Sequence, residues 1–353
     1  MIYSVMTTSG SFIPPVVVPN DHFLNNEFFD VDGNRYSKSN AEIVRKLFEI
    51  TGIRERRYIT DDMTTSDMAH LAAEKALAGV DRESLDYIIV AQNFGDVRPD
   101  SRYTDMVPTI AARVKHKLRI KNPYTVAFDL PFGCPGWLQG IIMADTFIKA
   151  GQAKRILVVG AESLSRVSDP HDIDCMIFAD AAGAVLVEAA HQTSGILAHM
   201  VRSDTYSDAY LLQMGRSYHP SHNGNDLFIK MNGHDIYRYA VKRVPEVVKL
   251  TLEKAGVELA DVAKVLIHQA NEKMDKAIVK RLFKLYGMSE VPDDIMPMII
   301  AWSGNSSVAT LPVIFDLICR GQLDGHRLHS GQTVVFASVG AGMNINAMVY
   351  QMP

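Results

Sequence analysis

A cysteine, a histidine and an asparagine far apart in the chain carry side chains suited to nucleophilic catalysis. Cys134 stands at the start of a nearly apolar, helix-like segment, His268 ends an apolar strand-like segment, and Asn305 lies in a Gly-Asn-Ser-Ser sequence. A thiol at a helix N-terminus meets free N–H groups and the positive end of the helix dipole, which favour the nucleophilic thiolate. A histidine among apolar neighbours stays neutral and can donate a hydrogen bond. Taken singly, the three residues also fit a packed core cysteine, a core histidine and a helix-capping asparagine.

Other candidates for chemistry are weaker. Cys175 and Cys319 lack a comparable setting, and His219 and His222 lie in a polar segment without a nearby carboxylate–histidine helix. The phosphate-binding sequence GxxxxGK[ST] and the dinucleotide-binding sequence GxGxxG are both absent. The sequence therefore predicts no metal site and no cofactor.

The elements that must position these residues are strand-like and helix-like segments in alternation. Helix-like segments separate short apolar runs that are rich in strand-forming residues, at 85–91, 124–128, 156–159, 184–187, 265–267 and 333–336. Continuous apolar strands between helices predict parallel sheets covered on both faces. Ligands of α/β sheets bind beyond the carboxyl ends of the strands, so Cys134, His268 and Asn305 are expected to converge there.

The chain also repeats itself at an offset of about half its length. An Ala-Gly-Val turn leads to a strand-like segment at 78–93 and again at 255–271. The segment from Gly133 to Ala161 has a counterpart from Gly304 to Ala341. These matches keep their order and spacing, so they predict a duplicated α/β unit with halves at 1–189 and 190–353. The stretch 203–225 is predicted to be a long surface insertion.

Composition narrows the class of protein. The 353 residues are 47% apolar and 22% charged with a net charge of −4, which excludes a disordered chain and disfavours a general nucleic-acid binder. Three cysteines do not make a disulfide framework, so a reducing cytoplasm is expected. The first twenty residues lack Lys and Arg, and the chain has no continuous apolar stretch of about 18 residues. A signal peptide and a membrane span are therefore not expected.

Several of these motifs together resemble the β-ketoacyl-acyl-carrier-protein synthase III family of the thiolase superfamily. The resemblance rests on residues 129–137, His268-Gln269-Ala270-Asn271 and Gly304-Asn305-Ser306-Ser307, with further matches at 51–57, 158–162 and 178–184. It covers nearly the whole chain in order. The histidine and asparagine motifs separate this family from thiolases, which have a second cysteine, and from elongating synthases, which use two histidines.

The resemblance implies a five-layered αβαβα fold, a homodimer and a Cys-His-Asn triad. Cys134 would take an acyl group from a thioester, with an oxyanion hole from its own N–H and the Gly340-Ala341 loop. A malonyl thioester would then lose carbon dioxide, and neutral His268 and Asn305 would stabilise the enolate that attacks the acyl-cysteine. The implied partner is acyl carrier protein, docking at Gln269 and Lys273. No metal or redox cofactor is implied.

Departures from the family pattern keep other functions open. Trp137 closely follows the nucleophile, which predicts that it shapes the acyl pocket, and Ile50 stands where many members have residues that cradle coenzyme A. The second departure favours a primer borne by a carrier protein. One alternative is an enzyme of secondary metabolism that joins longer acyl chains or uses a non-carrier acceptor. Another is a non-catalytic acyl-binding subunit.

Overall fold

A computed structural model describes residues 2–353 of the protein. Its strands are β1 (Tyr3–Phe12), β2 (Val16–Pro19), β3 (Glu55–Tyr58), β4 (Tyr87–Ala91), β5 (Asp96–Arg98), β6 (Ser101–Asp105), β7 (Val126–Leu130), β8 (Arg155–Ser163), β9 (Asp180–Ala190), β10 (Gly195–Ser203), β11 (Leu212–Gly215), β12 (Phe228–Met231), β13 (Val262–Ile267), β14 (Thr333–Gly340) and β15 (Asn344–Gln351). Its α-helices are α1 (Asn40–Thr51), α2 (Thr65–Ala76), α3 (Ile110–Lys117), α4 (Gly136–Lys149), α5 (Thr205–Asp208), α6 (Gly233–Ala255), α7 (Glu272–Leu285), α8 (Ile300–Ser303) and α9 (Thr310–Cys319). Short 3₁₀ turns join several of these elements.

Two sheets form the frame of the molecule. The first has the strand order β1-β9-β8-β4-β7, and the second has the order β10-β15-β14-β13. The strands of the first sheet lie between residues 3 and 190, and those of the second lie between residues 195 and 351. Three smaller two-stranded units pair β2 with β3, β5 with β6 and β11 with β12.

The apolar cores show that the sheets alternate with helices in five layers. One core joins helices α2 and α3 to the outer face of the first sheet. A central core packs α4 and α9 between the two sheets and includes Trp137, Ile314 and Phe336. A third core joins α6 and α7 to the outer face of the second sheet. The chain therefore has the expected αβαβα arrangement, with α4 and α9 buried in its middle layer.

The sheets are mixed, so the prediction of parallel sheets is wrong. Only the pairs β4–β7, β4–β8 and β13–β14 of the two main sheets are parallel, whereas β1, β9, β10 and β15 run antiparallel to their neighbours. A parallel connection needs a crossover of a dozen or more residues, usually a helix, that returns the chain to the same edge. No α-helix lies between β8 and β9 or between β14 and β15. Buried antiparallel strands are as continuously apolar as parallel ones, so composition did not separate the two.

Local signals in the sequence place several helix ends. The sequence Thr64 with Asp67 forms a capping box at the start of α2, as its spacing indicates. Pro135 precedes α4 as its N-terminal cap, so the helix that follows Cys134 begins at Gly136. Within residues 2–353, the structure has no helix both long and apolar enough to cross a bilayer.

Candidate active site

Cys134 lies at the turn between the edge strand β7 and the buried helix α4. Its side chain is only partly accessible and sits deep between the layers. This burial raises the pKa of the Cys134 thiol to about 11, and the Glu162 carboxyl adds to the rise while a hydrogen bond from Ser307 opposes it. The resting sulfur is therefore protonated, contrary to the thiolate expected from the helix terminus. Desolvation of the anion is the largest cause of this rise.

The loop after β14 touches the nucleophile directly. A methyl group built on Gly340 would lie 2.7 Å from the Cys134 nitrogen and 2.9 Å from its Cβ, so only glycine fits. Gly133 has a φ of +69°, and a methyl group built on it would lie 2.9 Å from the Ala341 nitrogen. Within residues 2–353, the Cys134 N–H donates to no other residue. This close approach puts the Cys134 N–H and the Gly340-Ala341 backbone side by side.

His268 follows β13 and is held by its backbone, whose N–H donates to the Ala337 carbonyl at 2.9 Å. Its ring is 3% exposed, and burial lowers the pKa of His268 to about 4. The imidazole is therefore neutral at physiological pH, as the apolar sequence around it predicts. Its Nδ1 atom finds no hydrogen-bond partner among the described residues. A neutral ring can donate one hydrogen bond to an anion without competing for its charge.

Asn305 is held by backbone hydrogen bonds to the segment just before β9. Its N–H donates to the Ile177 carbonyl at 3.0 Å, and its carbonyl accepts from the Ala179 N–H at 2.8 Å. Its side-chain oxygen accepts the Ser307 N–H at 2.9 Å. Because the oxygen is occupied, the amide presents its NH₂ group as the free end.

One cavity of about 270 Å³ brings these three side chains together. Cys134, His268 and Asn305 all line it, as do Gly340 and Ala341 of the neighbouring loop. The other residues of its wall are mostly apolar, and they include Phe94, Leu164, Phe178, Leu212, Met214, Ile229, Met231, Ile236, Met274, Val339 and Met343. The arrangement combines a thiol, hydrogen-bond donors and an apolar compartment.

The wall of this cavity includes a hairpin that the sequence analysis missed. The stretch 203–225 was predicted to be a surface insertion, but it contains β11, which pairs with β12. Leu212 and Met214 of β11, with Ile229 and Met231 of β12, face the cavity. Each strand repeats its apolar residue at every second position, which is the signal that could have identified the hairpin.

Two predicted site residues have other positions. Trp137 is fully buried beside Phe336 in the central core and does not line the cavity, so the prediction that it shapes the acyl pocket is wrong. Gln269 is also fully buried, so it cannot dock a partner. Its amide donates to the Pro297 carbonyl at 2.7 Å and accepts from the N–H groups that begin α8. Lys273 is exposed, as docking would require.

No group of three histidine, cysteine, aspartate or glutamate side chains within residues 2–353 is arranged to hold a metal ion. The polar atoms of the cavity are instead a sulfur, amide groups, an imidazole and a hydroxyl. These groups bind and polarise carbonyl compounds by hydrogen bonds.

Comparisons with known proteins agree with this architecture. Residues 128–205 match the family model of 3-oxoacyl-[acyl-carrier-protein (ACP)] synthase III, and residues 252–352 match the model of its C-terminal part. A β-ketoacyl-[acyl-carrier-protein] synthase III from Xanthomonas campestris is 32% identical over 346 residues, which are 97% of this chain and 96% of that protein.

Solved structures give the same result. The 3-oxoacyl-[acyl-carrier-protein] synthase III of Aquifex aeolicus is 30% identical, with a TM-score of 0.78 and 99% of each chain covered. The corresponding enzyme of Pseudomonas aeruginosa is 26% identical with a TM-score of 0.81, and 99% of this chain and 98% of that chain are covered.

The fold and its thiol-bearing cavity define a thiolase-like condensing enzyme, an acyltransferase that builds carbon–carbon bonds. The sequence identity over nearly the full length of the chain then identifies the family within this class. The chain belongs to the 3-oxoacyl-[acyl-carrier-protein] synthase III family.

Proposed function

We propose that Cys134, His268 and Asn305 carry out acyl transfer followed by decarboxylative condensation. The observation that carries this proposal is their meeting in one cavity whose remaining wall residues are mostly apolar. In the first step the Cys134 sulfur attacks an acyl thioester. The thioester C–S bond breaks, and the thiol proton leaves with the departing carrier thiolate. The Cys134 N–H and the Gly340-Ala341 loop stabilise the tetrahedral oxyanion.

In the second step a malonyl thioester loses carbon dioxide, and the electron pair of the broken bond forms a thioester enolate. His268 and the Asn305 amide donate hydrogen bonds to its oxygen, and neither adds a negative charge. The enolate carbon attacks the acyl carbonyl, and the Cys134 thiolate leaves and regains a proton. The product is a β-ketoacyl thioester.

The apolar walls support an acyl group longer than acetyl. A cavity of about 150 Å³ already accommodates benzene, and the whole cavity here, at about 270 Å³, is larger and lined mostly by apolar residues. Methionines at 214, 231, 274 and 343 contribute adaptable side chains to its walls. This observation favours the alternative of a secondary-metabolism enzyme that joins longer acyl chains.

Intact mass spectrometry with acetyl, octanoyl and dodecanoyl thioesters tests these proposals together. We expect the octanoyl group to give a higher yield of acylated Cys134 than the acetyl group does. Leu212→Trp should shift this preference to acetyl, because the larger side chain fills the cavity. The matched control is Leu227→Trp, since Leu227 is half exposed and does not line the cavity. An adduct from acetyl alone would disprove only the chain length. If no thioester gives an adduct, the assignment of Cys134 as the nucleophile is wrong. A non-catalytic acyl-binding subunit would then replace the condensing enzyme as the proposed function.

Acyl carrier protein is the proposed carrier, and exposed Lys273 is its proposed contact. Lys273 lies between Ala270 and Met274, which line the cavity, and it forms no ion pair among the described residues. Acyl carrier proteins are acidic, so a free cation beside the cavity suits their docking.

The substitution Lys273→Glu is expected to raise the KM for malonyl-acyl carrier protein about fivefold to tenfold, because it places like charges together at the contact. The KM for malonyl-coenzyme A is expected to stay unchanged. Lys284→Glu makes the same charge change about 17 Å along α7 and serves as the control. An equal rise for both malonyl donors would contradict a role in carrier docking.

A homodimer and a cytoplasmic location complete the proposal. The edge strand β7 pairs only with β4 among the described residues, and its first residue, Val126, is exposed, as is Tyr124 just before it. A second copy could extend the sheet there, next to the turn that carries Cys134. Sedimentation of a monomer at micromolar concentration would contradict this.

Three unpaired cysteines support a reducing compartment.

The division into halves at 1–189 and 190–353 is likewise proposed. It is supported by the separate sheets, since β9 ends at Ala190 and β10 begins at Gly195. The halves share the central core, so they are not independent folding units.

A further inference from the structure

Ser307 contacts two of the three proposed active side chains at once. Its hydroxyl donates to the Cys134 sulfur at 3.4 Å, within the range of a hydrogen bond to sulfur. Its backbone N–H donates to the Asn305 side-chain oxygen at 2.9 Å. The residue is 4% exposed and lines the cavity. The two contacts come from different parts of Ser307, so they can be separated by substitution.

The neighbours of the Ser307 hydroxyl direct its proton toward the sulfur. The Asn93 amide nitrogen lies 3.4 Å from the hydroxyl oxygen and donates to it. Asn93 is itself oriented, because its oxygen accepts the Gly133 N–H at 2.8 Å and its nitrogen donates to Glu162. With an oxygen lone pair occupied by Asn93, the hydroxyl is free to donate to Cys134.

The backbone of Ser307 is held in an unusual conformation that produces this double contact. Its φ is +52°, in the left-handed region that costs free energy for residues other than glycine. Such a conformation persists only where the surrounding structure imposes it. Here the turn places the N–H toward Asn305 and the side chain toward Cys134.

The Cys134 sulfur needs such a donor. Burial and the nearby Glu162 carboxyl both raise the pKa of the thiol, whereas the Ser307 hydrogen bond lowers it. Cys134 is the nucleophile in the first step and the leaving group in the second, so its sulfur carries negative charge in both. A hydrogen bond to a charged group contributes more than one between neutral groups.

We propose that the Ser307 hydroxyl stabilises the Cys134 thiolate in acyl transfer, while the Ser307 backbone separately orients Asn305 for the enolate. Ser307 keeps its own proton throughout, and the thiol proton still leaves with the carrier thiolate. This assignment rests on Cys134 being the nucleophile of the proposed function.

The test is the rate of Cys134 alkylation by iodoacetamide at about pH 7 to 9, below the pH at which half of the thiol is ionised, measured by peptide mass in wild type and Ser307→Ala. We expect this midpoint to move upward by about one pH unit, since a hydrogen bond to a charged group is lost. Below the midpoint the rate should fall about tenfold, because each unit reduces the thiolate fraction tenfold. Malonyl decarboxylation should fall less than the alkylation rate does, because the Ser307→Ala substitution leaves in place the backbone N–H that orients Asn305.

Two further variants separate the hydroxyl from the backbone. Ser307→Gly removes the hydroxyl but relieves the strained φ, so it should show the same shift as Ser307→Ala. Ser306→Ala removes the neighbouring buried hydroxyl, which contacts Thr310 and not Cys134, and should show none. An unchanged alkylation rate in Ser307→Ala, or a wild-type rate in Ser307→Gly, would overturn the proposal. Alkylation needs no acyl substrate, so this result stays distinct from failure of the proposed condensation.

Discussion

Replacing Cys134 with alanine is expected to remove the acyl adduct and to lower the rate of condensation at least about a thousandfold, because losing a nucleophile removes a covalent pathway. No other thiol can substitute for it. Cys175 lies in a separate apolar core and Cys319 at the end of α9, and neither lines the cavity. Intact mass spectrometry and a condensation assay measure the two losses.

The control for this substitution is Cys319→Ala, which removes a thiol outside the cavity and should leave both adduct and turnover unchanged. Thermal unfolding of each variant shows whether the fold is intact. An acyl adduct of undiminished yield on folded Cys134→Ala would refute the assignment of the nucleophile. The adduct site would then have to be found by peptide mapping.

The second large effect is expected for His268→Ala, which should lower malonyl decarboxylation about 100-fold to 1000-fold, as loss of an oxyanion donor does in other enzymes. Self-acylation of Cys134 should survive largely intact. The reason for this difference is that His268 is assigned to the enolate and not to the sulfur. Release of carbon dioxide and the mass of the acyl-enzyme measure the two steps separately.

The pH dependence of decarboxylation provides a second measurement on His268. Burial lowers the pKa of His268 to about 4, so the ring is neutral above that pH and its donor capacity should not change between pH 5 and 8. A matched control is His234→Ala, since the His234 side chain is 79% exposed. Equal loss of acylation and decarboxylation in His268→Ala would contradict the division of roles and would assign His268 to the Cys134 proton as well.

Much of the fold could be predicted because its signals are local. The buried strands β8, β9, β13 and β14 contain the apolar runs predicted for them, β4 begins two residues into its run, and the capping box at Thr64 begins α2. The run 124–128 was wrong as a buried strand, because β7 begins at Val126 on the sheet edge and its start is exposed. A run of branched apolar residues favours a buried strand whatever lies beside it. Strands β1, β10 and β15 were missed, and the sheets proved to be mixed. Strand direction depends on the return path of the chain, which composition does not contain.

The wrong predictions for two site residues also arise because the sequence does not contain the path of the chain. Trp137 is three residues from Cys134, and α4 turns its side chain into the central core and not toward the cavity. Gln269 adjoins His268 in sequence, but its side-chain oxygen accepts hydrogen bonds from the backbone N–H groups at the start of α8. Proximity in sequence says nothing about which face of an element a side chain occupies.

By itself, the sequence determined the residue types of the proposed triad, the strands and helix termini that carry them, and the neutral state of His268. These depend on side-chain chemistry and on neighbours within a few positions. Only the tertiary structure decided that three residues spread from 134 to 305 line one cavity, that β11 and β12 form its wall, and that Cys134 is protonated at rest. Those properties depend on contacts between distant segments and on the exclusion of water, which arise only when the layers pack together.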